Sequence, residues 1–215
     1  MEQQMTAQKK TMVYTAVFSD IIKGVYDYSS IINEKTLVAK YKVSKSPVRE
    51  ALLELCNEDI LQSVPRTGYR LKPLNYRELN DALTVRSIIE FSALDISFPH
   101  ITNQQITDLE TMATKNRSEI STSDPLHRWV TNRDFHVTLC SLSQNKYLVS
   151  TLESLMKVCL RGAPEYFGSP WDRDLKSSLT GRHFLLIDAL KKRKLDEAKR
   201  ILKEDITDYR SAFLV

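Results

Sequence analysis

Glycine and proline are scarce in this chain, five and seven among 215 residues. So few turn formers predict long helices and exclude a collagen-like or low-complexity chain. They also argue against a glycine-looped nucleotide fold, and neither GxGxxG nor GxxxxGKS/T occurs. Cysteine is rarer still. Cys56, Cys140 and Cys159 are far apart and each has apolar neighbours, which reads as free buried thiols in a reducing cytosol. No apolar run approaches the roughly 18 residues that suggest a membrane span, and MEQQMTAQKKT lacks a signal-peptide core. A cytoplasmic protein with no membrane partner is expected. HExxH and GxSxG are missing as well, so the expectation is no enzyme and no catalytic residue.

The chain has 42% hydrophobic residues, enough for a packed core. Residues 1–10 are polar and read as a flexible tail. From Thr11 to about Tyr26, Val13, Val17, Ile21, Ile22 and Val25 recur at helical spacing. Asn33 precedes a short helix, Glu34 to Tyr41. Ser44 precedes a third, with Pro47 in its first turn, where a missing amide costs nothing. Two short β-type runs, Leu61–Val64 and Tyr69–Leu71, flank Pro65-Arg66-Thr67-Gly68, a hairpin turn. Three helices and a hairpin over residues 11–73 make a winged helix-turn-helix. Beyond Leu74 the periodicity predicts about six helices, near 75–97, 103–120, 124–143, 145–162, 171–193 and 195–213, and no strand. The fold class is therefore mainly α: a winged helix-turn-helix, then an all-α bundle over 75–215.

The net charge is only +4, so its distribution matters more than its size. Between Asn33 and Arg49 lie Lys35, Lys40, Lys42, Lys45 and Arg49, against Glu34 alone. That local excess equals the excess of the whole chain. In a helix-turn-helix the first turn of the third helix enters the major groove. Ser44, Lys45, Ser46 and Arg49 would line it, with Lys45 and Arg49 four apart on one face. Lys35 adds charge from the second helix, and Arg66, Thr67 and Gly68 make a cationic wing tip with little bulk. Arginine can bind guanine bidentately; lysine and hydroxyls can bind bases or phosphates. The plainer alternative is a solvated basic face.

In the helical half, polar residues fall on apolar stripes. Arg86 and Glu90 lie with Leu79, Leu83 and Ala93; Asn132 and His136 lie near Trp129, Leu139 and Cys140; His183 precedes Leu186 and Leu190; Asp205 follows Ala198 and Leu202. Burying charge is costly unless it is paired or metal-bound. Asn132, His136, His183 and Asp205 offer four inward donors on three helices, a set that suits Zn, Ni, Mn or Fe. Each has a plainer reading alone: hydrogen-bonded core histidines, an Arg86–Glu90 intrahelical pair, and a surface Asp205 if the helix phase is off by one. Gly181, two residues before His183, suggests close packing or ligand space.

The run Asn33-Glu34-Lys35-x-Leu37-x-x-x-Tyr41-x-Val43-Ser44-Lys45-Ser46-Pro47-Val48-Arg49-Glu50-Ala51-Leu52 resembles the N-terminal domain of GntR-family bacterial transcription regulators, as does the wing Val64-Pro65-Arg66-Thr67-Gly68-Tyr69. Two features depart from that pattern: Lys45 stands where arginine is usual, which loses a bidentate fork, and no Pro-Gly precedes the second helix. Residues from about 76 to 213 resemble the FCD effector domain of the FadR branch, through Val85-Arg86-x-x-Ile89-Glu90-x-x-Ala93, Asn132-x-x-Phe135-His136-x-x-Leu139, Gln144-Asn145-x-x-Leu148 and His183-x-x-Leu186-x-x-Ala189-Leu190.

The resemblance implies a DNA-binding regulator, usually a repressor, whose helical domain dimerises and holds a small metabolite. The implied partners are double-stranded operator DNA, an effector that is an organic acid, and a second copy in a homodimer. It further implies a metal held by Asn132, His136 and His183, with Asp205 replacing the last histidine. An effector carboxylate would complete the coordination beside Arg86 and Glu90. The competing readings are a metal-dependent enzyme with an accessory DNA-binding domain, using Glu90 as a base, and a regulator with a metal-free or lipid-type pocket.

Overall fold

The structure is a computed structural model that describes residues 2–120, 125–161 and 172–208. It divides into two compact units. The first holds α1 (Glu2–Ile22), α2 (Glu34–Tyr41), α3 (Lys45–Asn57), β1 (Leu61–Val64) and β2 (Gly68–Leu71). The second holds α4 (Tyr76–Ser97), α5 (Asn103–Ile120), α6 (Pro125–Ser141), α7 (Lys146–Leu160) up to Cys159, α8 (Asp172–Lys191) and α9 (Leu195–Asp208).

In the first unit, α1 and α2 pack on α3. Val13, Val17 and Ile21 of α1 are buried with Leu37 of α2 and with Val48, Ala51, Leu52 and Leu55 of α3. Each such aliphatic side chain contributes roughly 1.5–3 kcal/mol when fully buried, so Leu52→Ala alone would cost about 2–5 kcal/mol. The sequence places α1 from Thr11 and a flexible tail before it; the helix instead begins at Glu2. The Met5–Lys10 stretch is rich in good helix formers, and Lys10 pairs with Glu54 of α3 at 2.9 Å. The hairpin pairs Leu61 with Leu71 and Val64 with Gly68, antiparallel. Ile32 adds a bridge on its outer edge, donating to the Tyr69 carbonyl at 2.7 Å and accepting from the Tyr69 amide at 3.0 Å. Leu160 and Arg161 group with this unit. Buried Arg161 donates to the Pro73 carbonyl, and its own carbonyl accepts from the Tyr28 hydroxyl.

In the second unit α4 packs on α6 and α9, α5 on α6 and α8, and α8 on α9. Asn75 caps α4 by accepting from the Glu78 amide at 2.8 Å. The start of α5 is held by a reciprocal capping box, Thr102 with Gln105, rather than by Asn103. Asn145 caps α7 as expected, accepting from the Tyr147 amide. The expected helix start near 124 and the end of the last helix past 208 lie outside the described residues. Cys140 and Cys159 are buried free thiols and Cys56 a half-buried one; burial pushes Cys140 up to about 12. Among the described residues no helix is long and apolar enough to cross a membrane.

Candidate nucleic-acid interface and buried donor cluster

The first unit presents the predicted reading face. The Asn33 side chain accepts from the Lys35 amide at 2.8 Å and so starts α2. Lys42, at φ 52, turns the chain toward α3. Ser44 occupies the α3 cap position but makes no side-chain cap bond, and its side chain is exposed. Pro47 and Val48 turn into the core, which forces Lys45, Ser46 and Arg49 outward. Ser46 donates to Glu50 at 2.7 Å. Lys45 lies 3.5 Å from Glu34. Lys35, Arg66 and Thr67 are exposed too. A groove of about 370 Å³ runs between α2 and the wing, lined by Lys35, Lys45 and Arg66 among others, with Glu34 in its wall. Lys40 is drawn away to Asp20 at 2.8 Å.

Gly68 needs a different explanation from the one its sequence suggests. Its φ is +145°, and a Cβ there would meet the Ile32 carbonyl oxygen at 2.5 Å. The glycine is required by the close approach of Ile32 within the unit, whatever the wing touches.

The second unit brings five of its six predicted polar residues into one buried chain. Arg86 Nε donates to Glu90 Oε1 at 2.6 Å on α4. Glu90 Oε2 meets His136 Nδ1 of α6 at 2.7 Å. His136 Nε2 lies 2.8 Å from Asp205 Oδ2 of α9, and His183 Nε2 of α8 lies 3.6 Å from the same oxygen. All five side chains are at most 4% exposed. The Phe135 ring stacks on His183 at 3.8 Å between centroids and fixes its plane. Asp205 is thus firmly inside, and Arg86 with Glu90 is an intrahelical pair that also reaches across to another helix. Gly181 faces open space, not a tight neighbour.

The chemistry of this chain turns on unpaired atoms. His136 Nε2, His183 Nε2, Asp205 Oδ1 and Asn132 Oδ1 are buried without a hydrogen-bond partner, as is Arg86 Nη2. Buried polar atoms are rarely left so. One ligand atom from each of His136, His183 and Asp205 lies within 4.8 Å of the others. If Nδ1 of His136 donates to Glu90, the Nε2 lone pair faces a carboxylate oxygen at 2.8 Å without hydrogen-bond alignment. Such a contact repels unless a proton or a cation lies between. A carboxylate behind a ligating imidazole is the usual way to fix its tautomer, so the donor set fits a divalent cation.

Protonation follows from these neighbours. Burial lowers the pKa of His136, but the Glu90 and Asp205 carboxylates together outweigh it, and the net shift is upward. Burial lowers His183, and Asp205 only partly offsets it. Burial favours the neutral forms of Glu90 and Asp205, yet both stay below the ordinary carboxylate range, Glu90 through His136 and Arg86, Asp205 through His183 and His136. Sequence spacing could not show that both Glu90 oxygens are engaged, one by Arg86 and one by His136. Glu90 therefore orients His136, with one oxygen on Arg86 and the other on His136.

Comparison with known proteins places both units. The pattern of the bacterial regulatory proteins of the gntR family matches residues 9–71, and that of the FCD domain matches residues 81–208, more than half of the chain. The chain belongs to the GntR family. This GntR-family chain is 33% identical over 126 residues to the Nta operon transcriptional regulator of Aminobacter aminovorans, covering 58% of this chain and 59% of that one. It therefore spans less than two thirds of that relative. It is 24% identical over 195 residues to the gluconate operon transcriptional repressor of Bacillus licheniformis, covering 87% and 78%. The solved structure of McbR/YncC from E. coli has the same fold, with a TM-score of 0.74 at 21% identity over 93% of this chain and 94% of that one.

Proposed function

We propose that this GntR-family chain is a DNA-binding transcription regulator, acting as a repressor in the cytoplasm, whose operator affinity responds to a small organic acid bound in the helical unit. The observation that carries the reading is the first turn of α3, where Lys45 and Arg49 stand exposed beside a cationic wing while Pro47 and Val48 lock the turn to the core. On this reading Lys45, Ser46 and Arg49 meet base edges; Lys35, Ser44, Arg66, Thr67 and the Gly68 backbone meet phosphates and groove walls. The experiment is a gel-shift series on duplexes selected from a random pool. Lys45→Ala and Arg49→Ala each weaken binding by about 1–3 kcal/mol and relax base selectivity. Wild-type affinity in both variants contradicts the assignment.

In the helical unit we assign His136, His183 and Asp205, with Asn132 one helical turn before His136 on α6, as the residues that hold a divalent ion such as Zn, Ni, Mn or Fe. When bound, the ion supplies a Lewis-acidic position for a carboxylate oxygen of the effector. Glu90 holds the His136 tautomer, and Phe135 holds the plane of His183. The unpartnered Nη2 of Arg86 is the group left to meet an anion. Gluconate, named for one relative's operon, is itself a carboxylate. A homodimer is supported by Val85, Ile88 and Ile96, exposed apolar residues on one side of α4. The effector can shift DNA affinity only by as much as its own affinity differs between the two arrangements of the dimer.

A further inference from the structure

The cationic groove of the first unit contains a fixed acid. Glu34 opens α2, where the helix dipole favours a carboxylate. Its Oε1 accepts from the Tyr69 hydroxyl at 3.1 Å, and its Oε2 lies 3.5 Å from Lys45 Nζ. Tyr69 is itself buried and bonded in both directions to the Ile32 backbone. The two members of the ion pair differ in freedom. The Glu34 side chain is 21% exposed and that of Lys45 72%. The carboxylate is the more firmly held of the two, through Tyr69 and its greater burial.

A negative charge here opposes the attraction of phosphates, which supplies most of the affinity for DNA of any sequence. A glutamine would keep the Tyr69 hydrogen bond and lose only the modest helix-dipole contribution, so the larger consequence of the charge is its effect on Lys45. The cap of α2 comes from Asn33, not from Glu34. Lys45 is also one of the two long cations in the first turn of α3.

We propose that Glu34 is a specificity-determining residue: a fixed counter-charge that holds Lys45 back from DNA of the wrong sequence. The inference rests on the DNA-binding reading above. Against a random duplex, Lys45 exchanges a carboxylate for a phosphate and gains little. Against the right site it also reaches a base edge, such as guanine O6 and N7. Glu34 therefore lowers non-specific affinity more than specific affinity. With the carboxylate neutralised, Lys45 is free of any anion before binding and releases one more counterion from the duplex on contact.

The test uses the full chain and fluorescence anisotropy with two duplexes, one random and one selected from a random pool, between about 50 and 200 mM salt. Glu34→Gln is expected to bind the random duplex roughly threefold tighter. Its slope of log affinity against log salt steepens by about one. The selected duplex changes less, so discrimination shrinks, while Glu34→Asp, which keeps the charge, stays closer to wild type. Unchanged affinity and slope in Glu34→Gln, with Lys45→Ala still weakening binding, overturn this inference alone. A parallel loss of thermal stability and of affinity for both duplexes marks a merely structural residue and overturns it too. Failure of the wild type to bind either duplex overturns the DNA-binding reading together with it.

Discussion

Replacing Glu90 by glutamine changes one oxygen into a nitrogen and alters almost no volume, so its effects are electrostatic. Glu90 takes Arg86 at 2.6 Å on one oxygen and His136 at 2.7 Å on the other, with a side chain 1% exposed. Removing its charge leaves the Arg86 guanidinium buried without its counter-ion. Breaking a buried pair in this way costs about 3–5 kcal/mol. The lower end applies, because the amide oxygen still accepts from one partner. His136 loses the carboxylate that fixes its Nε2 lone pair, which in metal sites lowers affinity roughly 10- to 100-fold. The assays are urea denaturation of the metal-free protein and calorimetric titration with Zn or Ni. The control is Asp95→Asn, whose pair with Lys199 is half-exposed and is worth under about 1 kcal/mol. If Glu90→Gln unfolds within about 0.5 kcal/mol of wild type and binds the ion equally well, the buried chain from Arg86 to Asp205 does not act as one unit.

Other outcomes follow from single contacts. Gly68→Ala places a Cβ against the Ile32 carbonyl at a φ of +145°; strain and the weakened Ile32–Tyr69 bridge cost about 2–4 kcal/mol, measured by urea denaturation, with DNA affinity falling alongside. The pH dependence of metal-free stability has two opposed arms. The raised pKa of His136 gives stability that is full below the unfolded value near 6.5 and is lost as pH rises through the folded value; the lowered pKa of His183 gives stability that is full above 6.5 and is lost as pH falls. A melting temperature highest near pH 6.5, with metal affinity climbing above it as the His136 proton becomes easier to displace, is the expected profile; melting that rises steadily with pH contradicts it. Ile88→Glu puts a charge in the exposed apolar row of α4 and shifts the protein to monomer in light scattering, whereas an unchanged mass moves the interface elsewhere.

Much of this was readable from the sequence because local patterns decide it. The six helices described in the second unit follow from apolar spacing, and Arg86, Glu90, His136, His183 and Asp205 from polar residues on apolar stripes. A stripe shows that a residue faces inward but not which residue it faces. Hence the stripe placed Glu90 inside but left open that it bonds His136 on another helix. Gly68 read as a wing tip, when the Ile32 carbonyl decides it. Glu34 read as a lone acid in a basic run, because its partners Tyr69 and Lys45 lie 35 and 11 positions away. The start of α1 was missed because polar residues carry no periodic signal, although Gln, Lys, Met and Ala favour a helix.

On the proposed function, occupancy of the buried donor cluster governs how tightly the first unit holds DNA. This link is tested by the affinity of a selected duplex for full-length wild type and His183→Ala, each with and without a chelator. Chelation is expected to change wild-type affinity several-fold and to leave His183→Ala unmoved. Equal affinities in all four samples, with the wild type shown to bind its ion, would contradict it.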